Sequence, residues 1–76
     1  MNNQRRKELS EISERLEELK SELEEVKEQE EEAYENMPES FQYGEKGERM
    51  QEIIDLLDDA ISNMESVIEQ ITEAQQ

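Results

Sequence analysis

Hydrophobic residues recur along the first third of the chain at alternating intervals of three and four. They are Leu9, Ile12, Leu16, Leu19, Leu23 and Val26. Residues at this spacing share one side of an α-helix, and the positions between them are nearly all charged or polar. Two apolar positions per heptad make a narrow stripe. The pattern predicts a long helix that packs along this stripe against one main neighbour.

The last third of the chain repeats the pattern and widens it. Apolar residues at the same alternating spacing are Met50, Ile53, Leu57, Ala60, Met64, Val67, Ile71 and Ala74, and Ile54, Ile61 and Ile68 add a flanking column seven residues apart. Three apolar positions per heptad form a stripe wider than one slender helix covers. We therefore expect the second helix to be central and to pack against a second neighbour, supplied by self-association.

The segment between the two patterns contains the residues that interrupt helices. Pro38 disfavours helical geometry at the residue before it, so the first helix is expected to end near Glu35 or Asn36. Ser40 or Gly44 is a candidate N-cap for the second helix. Within one domain covering residues 1–76, we place a helix at about 4–35, a connection at about 36–44 and a helix at about 45–74.

These elements predict an all-α fold. Two helices of similar length joined by a short connection favour antiparallel packing. The expected architecture is a coiled-coil-like antiparallel two-helix hairpin that dimerises into a four-helix bundle. The apolar residues named above supply its core and its self-association surface.

Charge restricts the partners that such a hairpin can have. The chain carries 23 acidic and 8 basic residues, a formal net charge of −15, and no basic residue follows Arg49. Direct nucleic-acid binding requires basic patches, so it is not expected. A basic surface on another protein would be attracted instead. The only basic cluster, Arg5–Lys7, is expected to pair with the acidic end of the second helix or to fray.

The composition also argues against chemistry within the chain. Histidine and cysteine are absent, and no glycine-rich phosphate loop is present. We therefore expect no enzyme activity, no cofactor and no metal site. No segment approaches the roughly 20 apolar residues of a membrane span, so the sequence predicts no membrane partner and a cytoplasmic protein.

Two residue groups are candidate partner-binding sites. Tyr34, Phe41 and Tyr43 lie in or beside the connection, where they would either form an exposed hot spot or, the interpretation we favour, plug the loop end of the hairpin. The acidic residues Asp55, Asp58 and Asp59 lie in the second helix. They would either keep the chain solvated or imitate a phosphate backbone on a rigid rod.

The link between the helices carries a resemblance. The residues Glu-Asn-Met-Pro-Glu-Ser-Phe-Gln (35–42) and Ile-Ile-Asp-Leu-Leu-Asp-Asp-Ala-Ile (53–61) resemble small uncharacterised acidic proteins of Gram-positive bacteria and their phages. The resemblance implies a helical hairpin and a mobile-element setting, but no functional residue. It suggests an accessory protein that binds, and in some cases inhibits, a host or defence protein. The alternatives are a nucleic-acid mimic directed at a basic enzyme and a purely structural scaffold or spacer.

Overall fold

A computed structural model describes all residues, Met1–Gln76, and the predicted all-helical class is confirmed. Three helices follow one another: α1 (Asn3–Glu35), α2 (Glu39–Gln42) and α3 (Glu45–Ala74). The long helices α1 and α3 form an extended pair whose Cα atoms span 58 × 15 × 11 Å. The four-residue α2, which the sequence did not predict, lies in the connection. No helix has an apolar stretch long enough to cross a membrane.

The bounds of the long helices follow from local capping. The Asn2 side chain accepts a hydrogen bond from the Arg5 backbone N–H at 2.8 Å, so it caps the first turn of α1. At the other end α1 stops at Glu35, three residues before Pro38. Helix α3 begins after Gly44, which adopts extended backbone and supplies no capping side chain.

Ion pairs join α1 to α3 and set their relative direction. Lys20 Nζ lies 3.6 Å from Glu65, and Lys27 Nζ lies 2.8 Å from Asp58. Seven residues forward on α1 therefore correspond to seven residues backward on α3, so the two helices run in opposite directions. Near the chain termini, the Arg6 guanidinium donates a hydrogen bond to the backbone carbonyl of Gln75 at 3.0 Å.

The hydrogen bond from Arg6 to Gln75 shows how one residue of the basic cluster Arg5–Lys7 is placed. Arg6 lies within α1, and its partner is a backbone carbonyl just beyond the end of α3, where we had expected acidic side chains. Carbonyls at a helix C-terminus lack partners within the helix and carry partial negative charge, so a guanidinium stabilises them.

The core lies along a different stripe of α3 from the one predicted. Its buried apolar residues are Ile54, Ile61 and Ile68, each with 8–9% of its surface exposed. We had predicted these three among the core residues but in a flanking column, and the structure places them in the inner stripe instead. The inner stripe alternates by four and three and comprises Met50, Ile54, Leu57, Ile61, Met64, Ile68 and Ile71, all buried or half-buried.

The predicted stripe of α1 is also only half correct. Leu9, Leu16 and Leu23 are half-buried, but the second predicted column is exposed: Ile12 by 38%, Leu19 by 52% and Val26 by 48%. Its place against α3 is taken by half-buried polar residues, Ser13, Lys20 and Lys27. The aliphatic stems of lysine cover apolar surface while their ammonium groups reach carboxylates, which explains how polar residues occupy this stripe.

Candidate interaction surfaces

The aromatic residues of the chain lie together at the α2 end of the molecule. Phe41 is 57% exposed and Tyr43 is 82% exposed, whereas Tyr34 is half-buried. The favoured prediction that all three plug the end of the helix pair is therefore wrong for Phe41 and Tyr43. Tyr34 lies against the pair, and the other two project into solvent.

Helix α2 is held in place by contacts with the end of α1 and the start of α3. The Gln42 side chain donates a hydrogen bond to the Tyr34 backbone carbonyl at 2.9 Å, which satisfies a carbonyl in the last turn of α1. On the other side, Gly47 is buried, and a Cβ atom there would overlap the backbone carbonyl of Gln42. Glycine is therefore required at position 47 for close approach of the backbones. Phe41 and Tyr43 are displayed from an anchored segment.

The surroundings of the exposed aromatic rings are acidic. Residues 28–48 include eight glutamates and a single basic residue, Lys46. Charged residues near an apolar contact steer a partner of opposite charge and disfavour a partner of like charge. We define Tyr34, Phe41 and Tyr43 as the aromatic end, whose two exposed rings belong to an acidic stretch of the chain.

A cavity of about 290 Å³ lies beside this end, between α1 and α3. It is lined by Glu31, Tyr34, Glu35, Gln51 and Ile54. A lining that combines two carboxylates with an aromatic ring and an isoleucine suits a cationic group on an aliphatic stem, such as a lysine or arginine side chain. Nowhere in the chain do three acidic side chains converge to hold a metal ion.

The three predicted acidic residues of α3 do not act as one group. Asp58 faces α1, where it forms the ion pair with Lys27. Asp55 and Asp59 are exposed and belong to none of the ion pairs. The outer surface of α3 therefore presents Asp55 and Asp59 together with Glu52, Glu69 and Glu73, all of them exposed.

Lys27 is the basic residue most strongly held by acidic neighbours. A hydrogen bond from Lys27 to Asp58 raises the pKa of the ammonium group above its usual 10.5, and the charges of Asp58 and Glu31 act in the same direction. Lys27 Nζ lies 3.5 Å from Glu31 and 2.8 Å from Asp58, so one cation contacts carboxylates from both long helices.

One side of the helix pair exposes apolar residues in a continuous band. On α1, Lys20 and Lys27 lie on one side of the leucine column, while Ile12, Leu19 and Val26 lie on the other. On α3, Asp58 and Glu65 lie on one side of the buried isoleucines, while Ile53, Ala60 and Val67 lie on the other. Because the ion pairs join the two charged sides, the two apolar sides share the opposite face.

We call this surface the exposed apolar face. It comprises Ile12, Leu19 and Val26 from α1 and Leu56 and Val67 from α3, all exposed, together with the half-buried Ile53 and Ala60 of α3. Leu56, which the sequence analysis did not single out, is its most exposed large residue at 60%, and Val67 is 43% exposed. No other side of the pair exposes aliphatic residues at this density.

No protein-family model, curated protein or solved structure matches this chain. Four residues that shape those surfaces were not predicted: Gln42 and Gly47, which anchor α2, Lys27, which links the helices, and Leu56. A signal for Leu56 is present in the sequence, since Ile53, Leu56, Ala60 and Val67 are spaced by three, four and seven.

Proposed function

We propose that this chain is a non-enzymatic protein-interaction module, an antiparallel helical hairpin that dimerises into a four-helix bundle and binds a basic surface of another protein. The observation that carries the proposal is the exposure of Phe41 and Tyr43 from an anchored α2 within acidic surroundings. Aromatic side chains presented in a fixed geometry lose little entropy on binding, and they are enriched among the residues that dominate interface energies.

The acidic charge gives this module its selectivity. A net charge of −15 attracts basic partners over long distances and repels nucleic acid. The resemblance of residues 35–42 and 53–61 to small phage and bacterial proteins supports a setting in which the module binds and blocks a host or defence protein. Such a protein would act in the host cytoplasm.

Affinity capture with a matched pair of variants tests this proposal. Lysate of a Gram-positive bacterium is passed over the immobilised wild-type protein, over the Phe41→Ala/Tyr43→Ala variant and over a Glu39→Gln/Ser40→Ala control with changes in the same segment. A specific partner should be retained by the wild type and the control and lost with the aromatic variant. A set of retained proteins that is identical for all three would contradict a role for the aromatic end.

Nucleic-acid mimicry is a second candidate, favoured by the absence of basic residues after Arg49 and by the exposed carboxylates along α3. It predicts salt-sensitive inhibition of a basic nucleic-acid-binding enzyme in competition with DNA or RNA. Reversing the charges of Asp55, Asp58 and Asp59 to lysine should abolish the inhibition. Equal reversal at Glu14, Glu18 and Glu25, on the exposed surface of α1, is the control. The engagement of Asp58 with Lys27 counts against this candidate, because it neutralises one of the three carboxylates.

A structural scaffold or spacer is the remaining alternative, and the 58 Å length of the helix pair suits it. It predicts higher oligomers that grow with concentration and no heterologous partner. Sedimentation velocity over a wide range of concentrations distinguishes it from a dimer of fixed size.

A further inference from the structure

Helix α3 carries a second heptad stripe beside the buried one, in which only Ile53 and Ala60 are half-buried and the other residues are exposed. Residues spaced by three and four along it are Ile53, Leu56, Ala60, Asn63, Val67, Gln70 and Ala74. None of them is charged, although the same helix holds seven acidic residues between positions 50 and 76. Charged residues thus avoid one stripe of α3 over six turns, as they do where a helix packs against a neighbour.

The exposed column of α1 extends this stripe sideways. Ile12, Leu19 and Val26 recur every seven residues and lie on the same face of the pair as the α3 stripe. Within the chain, only three apolar residues are fully buried, and the five large aliphatic residues Ile12, Leu19, Val26, Leu56 and Val67 remain exposed on this face. Small chains with so little interior commonly complete their core by oligomerisation.

From these observations we infer that the exposed apolar face is the surface through which two copies of the chain associate. The inference rests on the proposed dimerisation and adds which surface carries it. In such a dimer, the side of each helix pair that carries the ion pairs Lys20–Glu65 and Lys27–Asp58 faces solvent. Both long helices then contribute to the contact, as four-helix bundles require.

Size and chemistry favour a second copy as the occupant. The broad side of the pair measures 58 by 15 Å, which is on the order of the ~800 Å² per partner buried in standard stable interfaces. A basic protein would be drawn to the acidic surfaces, whereas this face offers it no carboxylate on the α3 stripe. Another helix pair with the same heptad spacing and length fits it by interdigitation of side chains.

Asn63 and Gln70 are the two polar positions of the stripe, and the asparagine lies near its middle, between Ala60 and Val67. A single asparagine in an apolar heptad stripe lowers stability but specifies register and the number of helices. Its exposure in one copy therefore agrees with a position that two copies would bury together.

Light scattering on three variants tests the inference. Leu56→Glu places a charge on the face without touching the core of one copy, and it should raise the dissociation constant of the dimer about a hundredfold or more, because each dimer would bury two unpaired carboxylates. Ser62→Glu adds the same charge on the opposite side of α3 and should leave the dimer intact. Asn63→Leu should tighten the dimer and raise its melting temperature.

The possible results separate the inference from the proposal beneath it. A wild-type mass of 9.0 kDa at all concentrations would overturn both dimerisation and this assignment. A dimer that responds to neither Leu56→Glu nor Asn63→Leu would overturn the assigned face and leave dimerisation standing. If Leu56→Glu unfolds the chain, the Asn63→Leu variant still tests the assigned face. An Asn63→Leu dimer that is no tighter than the wild-type dimer would contradict the assignment. A monomer that uses this face only for another protein would also overturn it.

Discussion

Lys27 Nζ and Asp58 Oδ1 lie 2.8 Å apart, and this ion pair is the shortest that joins α1 to α3. Its lysine also contacts Glu31 on its own helix, so removing the cation leaves two carboxylates facing each other across the pair. The structure therefore predicts that the helix pair depends on Lys27 more than on other basic residues.

The Lys27→Gln variant should melt at a lower temperature than the Arg49→Gln variant. Both changes make the net charge one unit more negative, but Arg49 pairs only with Glu52 on the same helix, and both side chains of that pair are well exposed. Exposed pairs within one helix contribute little to stability. Thermal unfolding followed by circular dichroism makes the comparison. Equal melting temperatures would show that the Lys27–Asp58 contact is not formed in solution.

The same contact predicts a dependence on pH. Because the hydrogen bond with Asp58 raises the pKa of Lys27 above 10.5, its contribution to stability is complete below pH 10.5 and is lost as the pH rises through the folded-state value. The difference in melting temperature between the wild type and Lys27→Gln should therefore be constant at neutral pH and shrink in strongly alkaline buffer. A difference that grows with pH would contradict the assignment.

Added salt should stabilise the protein. Self-repulsion among the charges that give a net value of −15 opposes the packed state, and ions screen it. The melting temperature should rise between ionic strengths of about 0.01 M and 1 M, where the Debye length falls from roughly 30 Å to 3 Å. Guanidinium chloride would confuse the comparison, so sodium chloride is used. A melting temperature that falls with salt would mean that the ion pairs between α1 and α3 outweigh the repulsion.

Substitution of the central buried isoleucine tests which stripe of α3 forms the core. Ile61→Ala should lower the free energy of unfolding by about 2–5 kcal/mol, the usual cost of truncating a buried isoleucine. Ser62→Ala, at the exposed neighbouring position, should change it by less than about 0.5 kcal/mol. Urea unfolding at one protein concentration measures both. Equally small changes in the free energy of unfolding for both variants would indicate that Ile61 lies outside the core, in the flanking column that the sequence suggested.

The sequence predicts the helices well and their packing less well, for a physical reason. Periodic apolar residues, Pro38 and the capping region place both long helices close to their observed bounds. Helix α3, however, has three apolar columns, and either pair of adjacent columns makes a regular heptad stripe. The pair of columns that faces α1 is the one that packs beside Lys20 and Lys27. A pattern of polar and apolar residues counts lysine as polar, although its aliphatic stem covers apolar surface.

The aromatic end was predicted less well because its geometry depends on contacts between segments. Phe41 and Tyr43 are hydrophobic enough to suggest burial, and only the position of α2 shows them to be exposed. That position depends on the Gln42 side chain meeting the end of α1 and on Gly47 lying against the Gln42 backbone. Neither contact has a periodic signature in the sequence.

The two glycines beside α2 should respond to substitution in opposite ways. Alanine at an exposed helix position is worth about 1 kcal/mol over glycine, yet Gly47→Ala should lower the melting temperature, because its Cβ would overlap the Gln42 carbonyl and displace α2. Gly44→Ser should raise the melting temperature slightly. A Cβ at position 44 meets its nearest atom at an ordinary 3.6 Å, and a serine hydroxyl can cap α3, which now has no capping side chain. Thermal unfolding monitored by circular dichroism measures both shifts, and stabilisation by Gly47→Ala would show that α2 is not held against α3.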